Sequence, residues 1–270
     1  MSVLDILKEA AFEVLNRTKL IAGTEEASTK FGKGAGGDIS TGIDLVAEQA
    51  VLDTLQRHDF KPTILGEECG IIHGDTGYLI MDAIDGTTNA IRGIPFYCCS
   101  LAFASEFKLS AVTDAVIMDL GNGDLYTSSK DNGAFMNSRR IEIGRWSGSE
   151  MELQNMVLGM NISGVSHEIL NNLSSVLSMF KHARHFGANA LELCYLARGL
   201  IDVYLDVRNK IRITDMAAAY LVVKEAGCKI YSMNGEVLDS DLIPNHTLSF
   251  IAVRNEAIYK KITSEVSVFK

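Results

Sequence analysis

The run from Tyr78 to Asn89 constrains this chain more than any other stretch. Tyr78-Leu79-Ile80-Met81 reads as a short buried strand, and Asp82-Ala83-Ile84-Asp85-Gly86-Thr87-Thr88-Asn89 follows it directly. The reading puts Asp82 and Asp85 on the loop at the strand's carboxyl end, the edge of an α/β sheet where ligands bind. Two carboxylates with small hydroxyl residues suit a hard divalent cation and a phosphate. The same residues also make an ordinary polar turn. Partners from elsewhere in the chain have to decide between the two.

Other strand ends supply such partners. Residues 62–65 read as a brief strand delivering Gly66-Glu67-Glu68-Cys69, so Glu67, Asp82 and Asp85 share one sheet edge. Asp44 opens a helix over residues 44–57, where by itself it is an acid favourable to the helix dipole. Asp215, in Ile213-Thr214-Asp215-Met216-Ala217-Ala218-Ala219, opens an alanine-rich helix, and by itself is another N-terminal helix acid.

Around these segments the pattern predicts a helix over 2–22, a glycine-rich loop over 24–37, and β-like runs at 96–104 and 111–118. Turn signals at Gly121-Asn122-Gly123-Asp124 and Asp131-Asn132-Gly133 extend these into an antiparallel meander. Beyond a polar stretch at 146–150, strands at 156–162, 182–186 and 201–206 alternate with helices at 166–179, 188–198 and 215–226. Strands near 229–231 and 248–253 and a closing helix complete a layered α/β chain. Two lobes are expected, 1–146 and 147–270, as 270 residues exceed the usual size of a single core.

Composition narrows the function classes. A formal charge of −9 argues against a nucleic-acid partner. The acidic N-terminal segment, with Asp5 and Glu9, is no secretory signal, and no apolar run is long enough to span a membrane. A cytoplasmic protein is expected. The five cysteines have no C-x-x-C spacing and read as free thiols. Gly32-Lys33-Gly34-Ala35-Gly36-Gly37 matches G-x-G-x-x-G, but no buried strand precedes it, and it reads as a loop.

Several phosphate-ester chemistries lack their residues. No cysteine is followed by arginine at C-x5-R spacing, the aspartates stand as D-x-x-D rather than D-x-D, and G-x-S-x-G and H-E-x-x-H are missing. An all-carboxylate magnesium site remains, because magnesium takes oxygen ligands and keeps several waters. Two such ions can activate water and stabilise a leaving oxygen. Gly86-Thr87-Thr88 would then present backbone N–H groups to the phosphate.

G-E-E, then D-x-I-D-G-T-T-N, then T-D-M-A-A ahead of E-A-G, resembles the inositol monophosphatase family of lithium-sensitive, magnesium-dependent phosphatases. Leu191 to Tyr195 and Arg208 to Asp215 look most like archaeal members acting on both inositol phosphate and fructose 1,6-bisphosphate. The resemblance implies alternating α-β-α-β-α layers and two or three Mg2+ per site. Glu67, Asp82 and the Ile84 carbonyl would hold the first ion. Asp82, Asp85 and Asp215 would hold the second, and Glu67 would face a third. Thr87, hydrogen-bonded to Asp44, would help Glu67 deprotonate water, while Gly86, Thr87 and Thr88 bind phosphate. Asp85, Gly187, Ala188, Asn189 and Asp206 match the region that contacts substrate hydroxyls. Arg184, Arg208 and Arg212 are candidates for a second phosphate, with Arg208 and Arg212 expected on a loop. A homodimer acting on a small phosphate ester is implied. A 3′-phosphoadenosine 5′-phosphate phosphatase and a non-catalytic regulatory member are the alternatives. Ala83 stands where the family has proline, Thr214 where many members have tryptophan, and Ala219 and Cys228 where glycine is common.

Overall fold

The computed structural model describes residues 1–143 and 152–265. The expected lobe boundary at 146/147 lies outside the described residues. The chain opens with α1 (Val3–Thr18), started by a reciprocal capping box between Ser2 and Asp5. It ends at Thr18 rather than running to residue 22. After the single turn α2 (Glu25–Ser28) come β1 (Lys30–Lys33) and β2 (Ile39–Thr41), an antiparallel hairpin where a loop was expected. Then follow α3 (Gly42–Arg57), β3 (Thr63–Gly66), β4 (Gly70–Ile72), β5 (Tyr78–Asp85) and α4 (Thr87–Arg92).

The meander is β6 (Cys98–Ala104), β7 (Val112–Asp119), β8 (Leu125–Ser129), β9 (Gly133–Met136) and β10 (Arg139–Arg140). These strands complete an eight-stranded sheet in the order β10-β9-β8-β7-β6-β5-β3-β4. Only β3 and β5 pair in parallel, which brings the ends of both strands to the same sheet edge.

The rest of the chain is β11 (Val157–Met160), α5 (His167–Ser178), β12 (His182–Arg184), α6 (Asn189–Ala197), β13 (Val203–Arg212), α7 (Ile213–Glu225), β14 (Lys229–Ser232), β15 (Thr247–Val253) and α8 (Glu256–Glu265). Its five strands form a second sheet in the order β12-β11-β13-β15-β14.

Strand periodicity assigns the layers. On β5, Leu79 and Met81 face the cluster built by α1 and α3, whereas Ile80 faces α6 and α7. On β13, Tyr204 joins that same α6–α7 layer, whereas Val203 and Leu205 meet Leu173 and Val176 of α5 and Ile258 and Ile262 of α8. The order is therefore α1/α3, sheet, α6/α7, sheet, α5/α8, the expected α-β-α-β-α stack. Both faces of each sheet are covered, which is why these strands read as apolar runs rather than alternations.

Two strands are longer than the sequence pattern indicates. β5 continues through Asp85, so Asp82 and Asp85 lie in the strand and not on a loop after it, with the pairing to β6 interrupted between them. β13 continues to Arg212, which places Arg208 and Arg212 on a strand instead of a loop. In both, the ladder resumes after an irregularity, taking in Asp85 opposite Cys98 and Arg212 opposite Thr247. In between, carboxylates take N–H groups, Asp82 that of Ile84 and Asp206 that of Arg208.

α7 sits between the two sheets, with contacts to β5, β6 and β7 on one side and β13 and β14 on the other. Its Ala217, Ala218 and Ala219 are buried, and small side chains there let a helix fit between two sheets. Replacing Ala218 with leucine should destabilise the protein by about 1–3 kcal/mol through overpacking. Urea unfolding checks this, and an unchanged midpoint would count against the tight inter-sheet packing.

Candidate active site

Asp82 and Asp85 end β5, and the Ile84 N–H donates to Asp82 Oδ1 at 3.0 Å, which curls the strand end around its own carboxylate. Gly86 then turns the chain with φ of 95°, and α4 begins at Thr87. Gly86 has to be glycine, because a Cβ there would also come within 3.1 Å of the Ala188 Cβ and 3.2 Å of the Gly187 carbonyl. Glu67 follows β3 on the neighbouring strand. Asp215 occupies the third position of α7, where its Oδ2 accepts the Arg212 backbone N–H at 3.3 Å. Carboxylate oxygens of Glu67, Asp82 and Asp215 lie within 4.8 Å of one another. Such a half-buried, all-oxygen donor set fits a hard divalent cation.

Asp44 is the third residue of α3 and closes a capping box with Thr41. Its Oδ2 accepts the Thr41 N–H at 2.9 Å and hydroxyl at 2.7 Å, while its Oδ1 lies 3.0 Å from the Thr87 hydroxyl. Thr87 also lies 3.1 Å from the Ile84 carbonyl. A hydroxyl has one proton to give, so Thr87 donates to one of these two at a time. Asp85 Oδ2 accepts the Ala190 N–H at the start of α6, 2.6 Å away.

These groups line one cavity of about 360 Å³ with Asp38, Ile39, Thr41, Glu68, Thr88, Ile91, Gly187, Asn189 and Arg212. Other sequence-derived candidates lie elsewhere. Ala188 is wholly buried behind Gly86. Arg184 is exposed and donates to its own neighbour's carbonyl, Ala183. Asp206 and Arg208 pair with each other, with Nε at 2.9 Å from Oδ2, and neither lines the cavity. Asn189 is held by Asn161 and Tyr204, both donating to its Oδ1.

Some site residues had no signal, or only a faint one, in the sequence. Arg212 Nη2 lies 2.6 Å from Glu67, and its other nitrogens meet Asp38 and Asp215, so it serves the carboxylates directly. The sequence offered Arg212 as a candidate for a second phosphate and not as a partner of these carboxylates. Glu192 is fully buried and accepts the Phe186 and Gly187 N–H groups at 3.1 Å each, fixing the turn beside the cavity. Thr214, in the place of tryptophan, donates its hydroxyl to Asp215 at 3.1 Å. Ala83 is buried in the cluster shared with α1 and α3.

The family model for the inositol monophosphatase family matches residues 2–267. The chain belongs to the inositol monophosphatase family. It is 34% identical to a fructose-1,6-bisphosphatase/inositol-1-monophosphatase of Methanothermobacter thermautotrophicus, over 92% of this chain and 90% of that one. It is 27% identical to a bifunctional NADP phosphatase/NAD kinase of Methanococcus maripaludis, across 97% of this chain but only 49% of that protein. A solved inositol monophosphatase–fructose 1,6-bisphosphatase superposes with a TM-score of 0.86 at 28% identity, covering 98% of this chain and 100% of that one.

The cavity gathers negative charge among buried groups. Burial pushes Glu67 up to about 8, with the Asp215 charge adding to the shift and Arg212 opposing it. Burial raises Asp85 to about 7, again with Asp215 adding. Asp82 is raised well above the usual range by burial and then by Glu67, Asp85 and Asp215. Burial also raises Asp44, against hydrogen bonds from Thr41 and Thr87.

For each such acid the folded pKa exceeds the unfolded one, so the folded state binds more protons through the window between them. Stability is then fully present below the ordinary carboxylate range and is lost as pH rises through the raised values, about 7 for Asp85 and about 8 for Glu67. In chelator-treated protein the thermal midpoint should fall between about pH 5 and pH 8.5 on this linkage. A midpoint that rises over this interval would contradict the buried-carboxylate account.

Proposed function

We propose that this protein is a magnesium-dependent phosphomonoesterase that hydrolyses inositol monophosphate, fructose 1,6-bisphosphate or both. The observation that carries the reading is one cavity lined by Asp44, Glu67, Asp82, Asp85, Thr87 and Asp215 together with the Gly86 turn. The nature of the relatives supports the substrates: two of those above are phosphatases named for these two esters.

In this reading Glu67, Asp82 and the Ile84 carbonyl would hold one cation, Asp82, Asp85 and Asp215 would hold a second, and Glu67 would face a third. When bound, such ions supply Lewis acidity and positive charge to a phosphoryl group. The protein's own groups do the positioning. Asp44 is pinned by Thr41, so its free oxygen takes the Thr87 proton and leaves the Thr87 lone pairs to face the cavity. From there Thr87 accepts a hydrogen bond from a water and orients it, and the Glu67 carboxylate accepts the proton that the water gives up. The backbone N–H groups around Gly86, Thr87 and Thr88 hold phosphate oxygens, and Asp85, Gly187 and Asn189 meet the alcohol portion. Arg208 serves substrate recognition only after leaving Asp206. Ala188 acts through its backbone, since its side chain is buried.

No helix among the described residues is long and apolar enough to cross a membrane. A cytoplasmic homodimer acting on small phosphate esters completes the proposal. A nucleotide phosphatase, such as one acting on 3′-phosphoadenosine 5′-phosphate, is the second reading, and the NADP phosphatase relative supports it. A purely regulatory role is disfavoured by the intact carboxylate set.

Phosphate release from inositol 1-phosphate, fructose 1,6-bisphosphate and NADP, with and without Mg2+, tests the proposal. Activity is expected on one of the first two and should vanish with chelation; turnover that survives chelation refutes it. Asp82→Asn should abolish turnover. Thr87→Val should lower kcat by about 10²-fold, as for loss of a proton-transfer group. Wild-type rates in either variant would remove the corresponding assignment.

A further inference from the structure

Asn189 opens α6 on the wall of the catalytic cavity, yet the residue is only 8% exposed and belongs to a buried chain of hydrogen bonds. That chain starts just after β11. The Ser163 N–H donates to Asn161 Oδ1 at 3.0 Å, and Asn161 Nδ2 donates to Asn189 Oδ1 at 2.9 Å. From β13, the wholly buried Tyr204 donates its hydroxyl to the same Oδ1 at 2.8 Å. Neither Asn161 nor Tyr204 lines the cavity.

The two ends of a carboxamide are told apart by their partners, and these partners leave no choice. A backbone N–H only donates, so Asn161 has to meet Ser163 with its oxygen and Asn189 with its nitrogen. Asn189 in turn has to meet Asn161 with its oxygen. The Tyr204 hydroxyl adds no direction, because it can donate or accept. Both lone pairs of Asn189 Oδ1 are then engaged, and Nδ2 is the end left to meet a ligand. Ser163 itself is held in place by Arg208, whose Nη1 donates to the Ser163 carbonyl at 3.2 Å.

We propose that this relay makes Asn189 a specificity-determining donor that recognises a free hydroxyl on the alcohol of the phosphate ester. Asn161 is the positioning residue that sets its polarity. A hydroxyl fits because Asp85 stands next to this residue, taking the N–H of the adjoining Ala190 at 2.6 Å. A hydroxyl can accept from Asn189 and give its own proton to Asp85. An anionic phosphate oxygen only accepts, and the carboxylate repels it. The ligand class is therefore a polyol phosphate, not the ester of an alcohol without further hydroxyls. The inference rests on the phosphatase reading above.

Kinetics on the better polyol substrate of inositol 1-phosphate and fructose 1,6-bisphosphate, set against p-nitrophenyl phosphate, test it. The nitrophenyl ester offers no hydroxyl, so the ratio of the two kcat/KM values separates this contact from the chemistry. Asn161→Asp keeps the shape and the Ser163 contact but turns an acceptor toward Asn189, whose amide must flip and face the cavity with oxygen. One hydroxyl proton cannot serve that oxygen and Asp85 together. The ratio should fall by about threefold to tenfold, the worth of one hydrogen bond, through a higher KM for the polyol ester. Asn189→Ala, which removes the amide, should lower the ratio by a similar factor and covers the case of an Asn161 variant that misfolds. Tyr204→Phe leaves Asn161 to set the direction and should hold the ratio within about twofold of the wild type. A ratio unmoved by Asn161→Asp and Asn189→Ala, including equal losses on both esters, overturns the relay, as does an equal fall in Tyr204→Phe. A wild type that turns over neither polyol ester overturns the substrate reading and the relay together, a result distinct from a polyol-active wild type whose ratio no variant moves.

Discussion

Mutual repulsion among Glu67, Asp82, Asp85 and Asp215 is the constraint on which this structure turns. Four carboxylates in one cleft, three of them nearly buried, do not stay ionised unless something answers their charge. The fold supplies partial answers in backbone N–H groups, with Ala190 donating to Asp85 and Ile84 to Asp82. It supplies one full positive charge in Arg212, which touches two of the four. Burial first, and the unanswered charge after it, leave raised carboxyl pKa values, which mark the cleft as a candidate functional site.

The layers exist to hold that arrangement still. The parallel β3–β5 pair brings Glu67 alongside Asp82 and Asp85, and α7 between the sheets carries Asp215 to them from the second half of the chain. α3 contributes Asp44 with its carboxylate already fixed by Thr41. Asp85 ends β5, Glu67 directly follows β3, and Asp44 and Asp215 sit in the first turn of a helix. There the backbone has N–H groups to spare, and the packed interior behind it restricts motion.

Departures from the family pattern fit around this centre without dismantling it. Thr214 replaces a large aromatic with a hydroxyl that hydrogen-bonds Asp215. Ala83 takes the place of a proline and fills the packing under α3, so that the curl of β5 rests on the Ile84–Asp82 hydrogen bond. Ala219 and Cys228 are buried members of the inter-sheet core.

The apolar runs, the turn dipeptides and the order of the acid-bearing segments were legible in the sequence, because strand burial and turn geometry are local consequences of residue type. They determined a layered α/β chain and singled out Glu67, Asp82, Asp85 and Asp215 as candidates. The family resemblance, and not periodicity, pointed from Asp44 to Thr87. Local pattern misjudged the ends of β5 and β13, where ladder pairing carries polar residues into strands that their composition argues against. It also read residues 24–37 as a loop, missing β1, since the exposed hairpin is shaped by what lies beneath it. Only the tertiary structure decided that Arg208 pairs with Asp206, that Arg184 does not line the cavity, and that Arg212 and Asp38, 174 positions apart, meet beside the carboxylates. The physical reason is that the partners of a long charged side chain depend on which other charges the fold brings within a few ångströms, and nothing in the neighbouring sequence records that.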